Sequence, residues 1–223
     1  MRKNEKSMAQ IALLSKIDKR EAVVGIIGLG YVGLPLAIHF GQEGFKVIGF
    51  DVDVRKIDML HRGQSYIKHI QMGPINDRIK NGHLEVTVDF KRLKEADCIL
   101  ICVPTPLTDK MEPDLSYLLD TTKTISGILR DGQLIVLEST TYPGTTEEML
   151  LQGLEIGNMK VGQNYFLAFS PEREDPGNGK FNAANIPKVV GGVTAGCLEV
   201  ASALYDSITQ VVPVSSTGVA ELT

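Results

Sequence analysis

A glycine-rich turn between an apolar run and a helical pattern limits what this chain can fold into more than any other feature. The apolar run starts at residue 23 and ends in Gly28, Gly30 and Gly33, with the spacing G-x-G-x-x-G. A helical pattern follows over residues 34–42. With this spacing the first glycine permits a sharp turn, the second lets a pyrophosphate approach the backbone, and the third lets helix and strand pack closely. The stretch therefore predicts a buried strand, a tight turn and a helix whose N-terminus binds phosphate.

An acidic residue lies where a dinucleotide-binding fold uses one. Residues 45–50 form the second strand candidate, and Asp51 follows it, 23 residues after Gly28. A carboxylate about 20 residues beyond the first glycine binds the adenosine ribose hydroxyls in such folds, and it disfavours the 2′-phosphate of NADP. Asp51 therefore predicts NAD as the cofactor. The alternative is that Asp51 only caps the helix that follows.

The composition excludes several other classes of protein. The chain has 223 residues and a formal net charge of −4, and its Lys and Arg residues are scattered, so we expect no nucleic-acid partner. No apolar run approaches the roughly 18 residues of a membrane span, and the N-terminal residues lack a signal-peptide core, so we expect a cytoplasmic protein without membrane contact. Cys98, Cys102 and Cys197 lack metal-ligand spacing and predict buried thiols, with no metal site.

Strand and helix patterns alternate along the rest of the chain. Further strand patterns cover residues 84–88, 96–103, 133–137, 165–169, 188–191 and 211–214, and further helical patterns cover residues 54–63, 75–80, 115–129, 145–154 and 195–207. The alternation predicts an α/β fold, a Rossmann-like doubly wound parallel sheet with helices on both faces. We expect this domain to span residues 21–215. Residues 1–20 would form an N-terminal extension with a short amphipathic helix, in which Ile11, Leu14 and Ile17 share one face.

Ligands of doubly wound sheets bind beyond the carboxyl ends of the strands, and four motifs of this chain begin there. They read G-L-G-Y-V-G-L-P over residues 28–35, C-V-P-T-P over 102–106, E-S-T-T-Y-P-G-T-T-E-E over 138–148, and S-P-E-R-E-D-P-G over 170–177. In this order they resemble the UDP-glucose/GDP-mannose dehydrogenase family, most closely its bacterial UDP-N-acetyl-D-glucosamine 6-dehydrogenase branch. The resemblance extends from about residue 22 to the C-terminus.

The resemblance implies a reaction and a set of site residues. Enzymes of this family use two NAD molecules in turn to oxidise the C6 alcohol of a nucleotide sugar to the acid, through an aldehyde and a cysteine thioester. The implied catalytic residues are Glu172, which would orient water and accompany proton transfer, and Thr140. The expected NAD-binding residues are Gly28, Gly30, Tyr31, Val32, Gly33, Asp51, Val52, Arg55, Val103, Pro104, Thr105, Ser139 and Thr140.

Each of these assignments has a plainer alternative. Thr105, Ser139 and Thr140 could instead cap turns and helices, since short hydroxyl side chains often bond the local backbone. Glu172 could be a solvated loop residue. Arg173 could contact a carboxylate, a phosphate or another subunit, since its guanidinium binds anions bidentately.

The chain also departs from the family's pattern. Family members continue beyond the position of Thr223 into a central helix with an active-site lysine and asparagine, and then into a domain with the nucleophilic cysteine. The resemblance therefore implies that residues 216–223 start a truncated central helix, that the substrate domain is absent, and that this chain alone binds NAD without oxidising sugar. It implies a homodimer or larger assembly for the full-length enzyme. Pro176 stands where UDP-glucose dehydrogenases often have a second glutamate, which favours an acetamido-sugar substrate.

Two other functions remain open from the sequence. One is UDP-glucose 6-dehydrogenase, which differs only in the sugar that it oxidises. The other belongs to a different class, a module that binds NAD for sensing or assembly without chemistry.

Overall fold

A single mixed sheet of eight strands forms the centre of the computed structural model. The structure describes residues 6–67, 70, 73, 79, 81–155, 157–172 and 186–223. The strands are β1 (Val23–Ile27), β2 (Lys46–Phe50), β3 (Leu84–Thr87), β4 (Cys98–Ile101), β5 (Leu134–Leu137), β6 (Phe166–Phe169), β7 (Lys188–Gly192) and β8 (Val211–Pro213). Their order across the sheet is β3-β2-β1-β4-β5-β6-β7-β8. Because the chain leaves β1 for β2 on one side and later returns to place β4 on the other, the strand order reverses beside β1.

Helices cover both faces of this sheet. They are α1 (Met8–Asp18), α2 (Gly33–Gln42), α3 (Val54–His61), α4 (Ser116–Ser126), α5 (a π-helical part, Thr146–Leu151, that continues as α-helix over Gln152–Leu154), α6 (Ala195–Asp206) and α7 (Thr217–Glu221), with a 3-10 helix at Phe90–Glu95. One apolar core lies between the sheet and α1, α2, α3 and α6. A second lies between the opposite face and α4, α5 and α7. Neighbouring strand residues such as Ile26 and Ile27 divide between the two cores. The predicted Rossmann-like fold is confirmed.

One strand runs against the prediction of a parallel sheet. β7 is antiparallel to β6, with Ala168 opposite Gly192, whereas every other neighbouring pair is parallel. Parallel neighbours need a crossover connection, usually a helix, but antiparallel neighbours do not. The sequence contains no helical pattern between β6 and β7, so the reversal agrees with the loop composition of residues 170–187. The all-parallel expectation was wrong at this point.

The N-terminal helix forms, and its buried face matches the expected one at Ile17, and partly at Leu14, but not at Ile11. Leu13 and Ile17 are buried, while Ile11 is 49% exposed. Gln10 is buried as well, and its side-chain amide donates to Glu199 on α6 at 2.9 Å. Helix α1 therefore packs on α6 through Gln10, Leu13 and Ile17. The helix expected over residues 75–80 lies largely outside the described residues.

Candidate functional site

A cavity of about 860 Å³ opens at the carboxyl ends of the strands beside β1. The predicted residues that line it are Gly28, Gly30, Tyr31, Val32, Asp51, Val52, Val103, Pro104, Thr105, Ser139, Thr140 and Glu172. They come from five separate loops, those after β1, β2, β4, β5 and β6, which these parallel strands bring to the same end of the sheet. Gly33 and Arg55 do not line the cavity.

The three glycines of the turn meet different surroundings. Gly28 has a φ of +92°, and a Cβ there would lie 2.5 Å from the carbonyl oxygen of Cys102. A Cβ on Gly33 would lie 1.9 Å from the carbonyl oxygen of Gly28. A Cβ on Gly30 would meet no described atom within 4 Å. Two glycines are therefore required by the fold, while Gly30 leaves open space at the cavity wall.

The Asp51 side chain binds the backbone of the glycine turn. Its Oδ2 accepts hydrogen bonds from the backbone N–H of Leu29 at 2.9 Å and from Lys56 Nζ at 2.8 Å, and its Oδ1 accepts from the backbone N–H of Asp53 at 2.9 Å. The carboxylate is buried, with 5% of the side chain exposed. The cap of α3 is Asp53, which accepts from the N–H of Arg55 at 3.0 Å. Asp51 therefore supports the turn and the start of the next loop, and it does not serve as the helix cap.

The Arg55 side chain points away from this arrangement. It is 88% exposed and pairs with Asp53 at 2.9 Å. Lys56, which the sequence analysis did not select, lines the cavity instead. Lysine at this position could have been noticed from its place on the first turn of α3, five residues after Asp51.

Tyr66 is a second residue that sequence reasoning missed. Its hydroxyl donates to the carbonyl oxygen of Leu29 at 2.5 Å, and Lys56 Nζ lies 5.7 Å from its ring centroid. Burial raises the pKa of Tyr66, and the charges of Asp51 and Asp53 raise it further. The tyrosine is therefore held as a neutral donor. Together with Asp51 it fixes both backbone groups of Leu29 inside the glycine turn.

Hydroxyl groups tie the loops after β4 and β5 together. Thr105 Oγ1 donates to the carbonyl oxygen of Thr140 at 2.6 Å, and Ser139 Oγ donates to that of Val103 at 2.7 Å. These bonds link one loop to the other across about 35 residues of sequence, so they are neither turn caps nor helix caps. Their effect is a continuous wall at this end of the cavity.

A buried cluster of charged groups lies beneath that wall. Lys188 Nζ contacts Glu138 Oε2 at 2.8 Å and Glu172 Oε2 at 3.0 Å, and the Tyr205 hydroxyl donates to Glu138 Oε1. Both glutamates line the cavity. Glu172 is therefore not a fully solvated loop residue, since only 9% of its side chain is exposed. The sequence analysis selected Glu172 but neither Lys188 nor Tyr205.

The cysteines are all free thiols in poor positions for nucleophilic attack. Cys98 and Cys197 are buried in the core between the sheet and α1, α2, α3 and α6. Cys102 lines the cavity, but burial raises the pKa of its thiol, and the charge of Glu138 raises it further.

The part of the chain that the structure describes contains no group of His, Cys, Asp and Glu residues arranged to hold a metal ion. Likewise, no helix within the described ranges is long and apolar enough to cross a membrane. Arg173 lies outside the described residues.

Comparison with known proteins gives consistent similarities. The sequence profile of the UDP-glucose/GDP-mannose dehydrogenase family, NAD binding domain, matches residues 22–209. The chain is 37% identical over 186 residues to Protein CapL of Staphylococcus aureus, covering 83% of this chain and 43% of that protein. It is 36% identical over 190 residues to UDP-N-acetyl-D-glucosamine 6-dehydrogenase of Salmonella typhi, covering 84% of this chain and 44% of that protein. The chain thus spans less than half of the length of these curated relatives.

Solved structures show the same similarity in three dimensions. UDP-D-ManNAc dehydrogenase from Pyrococcus horikoshii matches with a TM-score of 0.84 at 32% identity, over 90% of this chain and 48% of that one. NDP-N-acetyl-D-galactosaminuronic acid dehydrogenase from Methanosarcina mazei Go1 matches with a TM-score of 0.83 at 35% identity, over 94% of this chain and 48% of that one.

Proposed function

Because the chain belongs to the UDP-glucose/GDP-mannose dehydrogenase family and contains its NAD-binding domain, we propose that it binds NAD for oxidation of the C6 alcohol of a UDP-N-acetylhexosamine. The favoured substrate is UDP-N-acetylglucosamine, and the product is the uronic acid. Relatives named for UDP-N-acetylglucosamine and for UDP-N-acetylmannosamine match this chain at 36% and 35% identity. These similarities support an acetamido sugar as the substrate but do not distinguish between the two epimers.

One observation carries the proposal: the glycine turn, Asp51 and Glu172 line the same cavity. The residues present fit a dinucleotide. Gly30 leaves space for a phosphate at the start of α2, where the first N–H groups of a helix lack intrahelical acceptors, and Asp51 and Lys56 lie where an adenosine ribose would bind. NAD, when bound, supplies the acceptor for the hydride.

The remaining residues have roles in positioning and proton transfer. Thr105, Ser139 and Thr140 line the cavity, and the bonds between their loops would hold the backbone groups that contact the cofactor. The Glu172 carboxylate would accept the proton of the substrate alcohol, or orient the water that completes the oxidation. Thr140, on the same wall, would contact the reacting group.

We further propose that residues 1–223 bind NAD but do not complete the oxidation by themselves. The thioester step needs a thiolate that can reach the substrate. Cys98 and Cys197 are buried, and burial raises the pKa of the Cys102 thiol, so this chain offers no suitable nucleophile. Sustained NADH formation by residues 1–223 with any UDP-hexose would contradict this.

Two measurements test the proposed function. Calorimetric titration of the 223-residue chain should show one NAD site, with weaker binding of NADP. NADH formation by the complete native protein should be faster with UDP-N-acetylglucosamine or UDP-N-acetylmannosamine than with UDP-glucose. Glu172→Gln should lower turnover by on the order of 10³-fold with little change in the Kd for NAD, whereas Glu199→Gln, at the contact between α6 and α1 and away from the cavity, should change neither. NAD binding without turnover of any UDP-sugar would instead identify a non-catalytic module.

A further inference from the structure

A lysine is buried between two glutamates at the base of the cavity. Lys188 is the first residue of β7, and its ammonium lies 2.8 Å from Glu138 Oε2 and 3.0 Å from Glu172 Oε2. The exposed fractions of the side chains are 5% for Lys188, 0% for Glu138 and 9% for Glu172. The ammonium therefore bridges two carboxylates that line the cavity, the fully buried one of Glu138 (the inner carboxylate) and the slightly exposed one of Glu172.

The inner carboxylate has a fixed orientation. Glu138 Oε1 accepts a hydrogen bond from the Tyr205 hydroxyl, and Oε2 is bound by Lys188. Tyr205 is fully buried on α6 and packs against Phe40, with ring centroids 6.3 Å apart. Lys188 Nζ also lies 5.2 Å from the centroid of the Tyr205 ring, within the range of a cation–π contact. The position of the ammonium is therefore set by the core of the domain.

The ammonium of Lys188 is shared by two carboxylates, those of Glu138 and Glu172. Burial by itself lowers the pKa of Lys188, but the charges of Glu138 and Glu172 outweigh it and raise that pKa, while burial raises the pKa of Glu138. A buried ion pair with such desolvation often adds little to stability compared with apolar residues of similar size. Its presence beside a cavity indicates a role in the site.

We propose that Lys188 is a positioning residue for Glu172, holding its carboxylate at the cavity wall, and that Glu138 and Tyr205 hold Lys188 in place. The proposal rests on the proposed function of Glu172. A glutamate side chain has several rotatable bonds, and a small displacement of a reacting group can lower a rate by on the order of a hundredfold. A charged hydrogen bond from a rigid donor limits that displacement.

The bridge is tested directly in the 223-residue chain by NMR of lysine ammonium groups. A buried ammonium bound to two carboxylates should give a resolved Nζ signal that is absent in Lys188→Met. Glu138→Gln and Glu172→Gln should each shift or broaden this signal. A Lys188 signal that neither glutamine substitution changes would overturn the proposal.

Kinetics of the complete native protein test the positioning role. Lys188→Met should lower kcat for UDP-sugar oxidation by on the order of a hundredfold, with KM for NAD within about twofold, and Lys188→Arg should recover part of the loss because it keeps the charge. If Lys188 acts through Glu172, adding Lys188→Met to Glu172→Gln should cause no further loss. Independent, multiplying effects would indicate a merely structural role and would overturn the proposal.

Two variants separate positioning from loss of fold. Glu138→Gln/Lys188→Met removes the inner carboxylate together with its cation, so it should fold even if Lys188→Met does not, and it should keep the low kcat. Lys16→Met removes a lysine bound to the buried Asp97 at the opposite edge of the sheet and should leave kcat unchanged. If the complete protein forms no NADH from any UDP-sugar, the proposed function fails, and the ammonium signal alone then decides whether the bridge exists.

Discussion

Two buried carboxylate clusters lie at opposite ends of the strands of the same sheet. We call the amino ends of the strands the amino edge and their carboxyl ends the carboxyl edge. The two clusters differ in whether the cation that binds the carboxylate is also buried. At the amino edge, Asp97 directly precedes β4 and binds Lys16 and Arg130, each at 2.9 Å. At the carboxyl edge, Glu138 directly follows β5 and binds Lys188 at 2.8 Å. Lys16 and Arg130 are 46% and 38% exposed, whereas Lys188 is 5% exposed.

The difference separates a structural cluster from a functional one. Asp97 also accepts from the backbone N–H of Val23 at 3.0 Å, so it joins α1, β1 and the loop after α4 while its cations stay hydrated. No residue of that cluster lines the cavity. The carboxyl-edge cluster places both of its carboxylates, Glu138 and Glu172, on the cavity wall. Similar ion pairs therefore stabilise the fold at one edge and organise a site at the other.

The largest expected effect is a loss of stability in Gly33→Ala. Because Gly33 lies in the turn at the carboxyl edge, this loss would show that the carboxyl edge contributes to stability as well as to function. In Gly33→Ala the new Cβ would lie 1.9 Å from the carbonyl oxygen of Gly28, so strand and helix must move apart. We expect a loss of about 3 kcal/mol or more in the free energy of unfolding, together with loss of NAD binding. Urea denaturation and calorimetry measure both. Unchanged stability would show that the turn is looser than the structure indicates.

Asp97→Ala tests the amino edge. It leaves the N–H of Val23 without this acceptor, while Lys16 and Arg130 can turn to solvent, so the expected loss in the free energy of unfolding is about 2 kcal/mol. The Kd for NAD should stay within about twofold, since Asp97 is remote from the cavity. A large change in NAD affinity would contradict the division between the two edges.

Gly30→Ala should give the reverse result. Its Cβ meets no described atom within 4 Å, so the free energy of unfolding should change by no more than about 0.5 kcal/mol. The methyl group would occupy the space proposed for the pyrophosphate, and the Kd for NAD should rise about tenfold, or about 1.4 kcal/mol. Paired with Gly33→Ala, this variant separates cofactor contact from packing within one turn. Unaltered affinity would place the phosphates elsewhere.

The smallest expected effect is a difference in acid stability. Burial opposes ionisation of Asp97, but hydrogen bonds from Val23, Lys16 and Arg130 outweigh it and lower the pKa of Asp97. Because the folded pKa is below the ordinary one, the stabilisation is present above the ordinary aspartate pKa and is lost as pH falls through the lowered value. Asp97→Asn should therefore flatten the pH dependence of unfolding at the acid end only. The comparison of wild type and variant by thermal denaturation from pH 7 downward measures this, and parallel curves would count against it.

Much of the fold and part of the site could be predicted from the sequence. The strand before Gly28 and helix α2 after the glycine turn, the second strand with Asp51, and the buried strands β4, β5 and β6 all follow patterns that are local in sequence. The direction of β7 and the burial of Ile11 on α1 were predicted incorrectly, since both depend on contacts with remote elements. The sequence analysis selected Arg55, but the residue of α3 that lines the cavity is Lys56. The orientations of these side chains depend on their partners, since Asp53 binds Arg55 and Asp51 binds Lys56.

The sequence by itself determined the glycine turn, since the positive φ of Gly28 and the contact of Gly33 with the Gly28 carbonyl arise within a few residues of chain; the close approach of Gly28 to Cys102 depends on the tertiary structure. It also determined the alternation of apolar strands and helices, because hydrophobic periodicity is a local property. Only the tertiary structure decided the Glu138–Lys188–Glu172–Tyr205 cluster. Lys188 is 50 residues from Glu138 and 16 from Glu172, and Tyr205 is 67 from Glu138. No sequence spacing connects these residues; the antiparallel β7 and the packing of α6 bring them together.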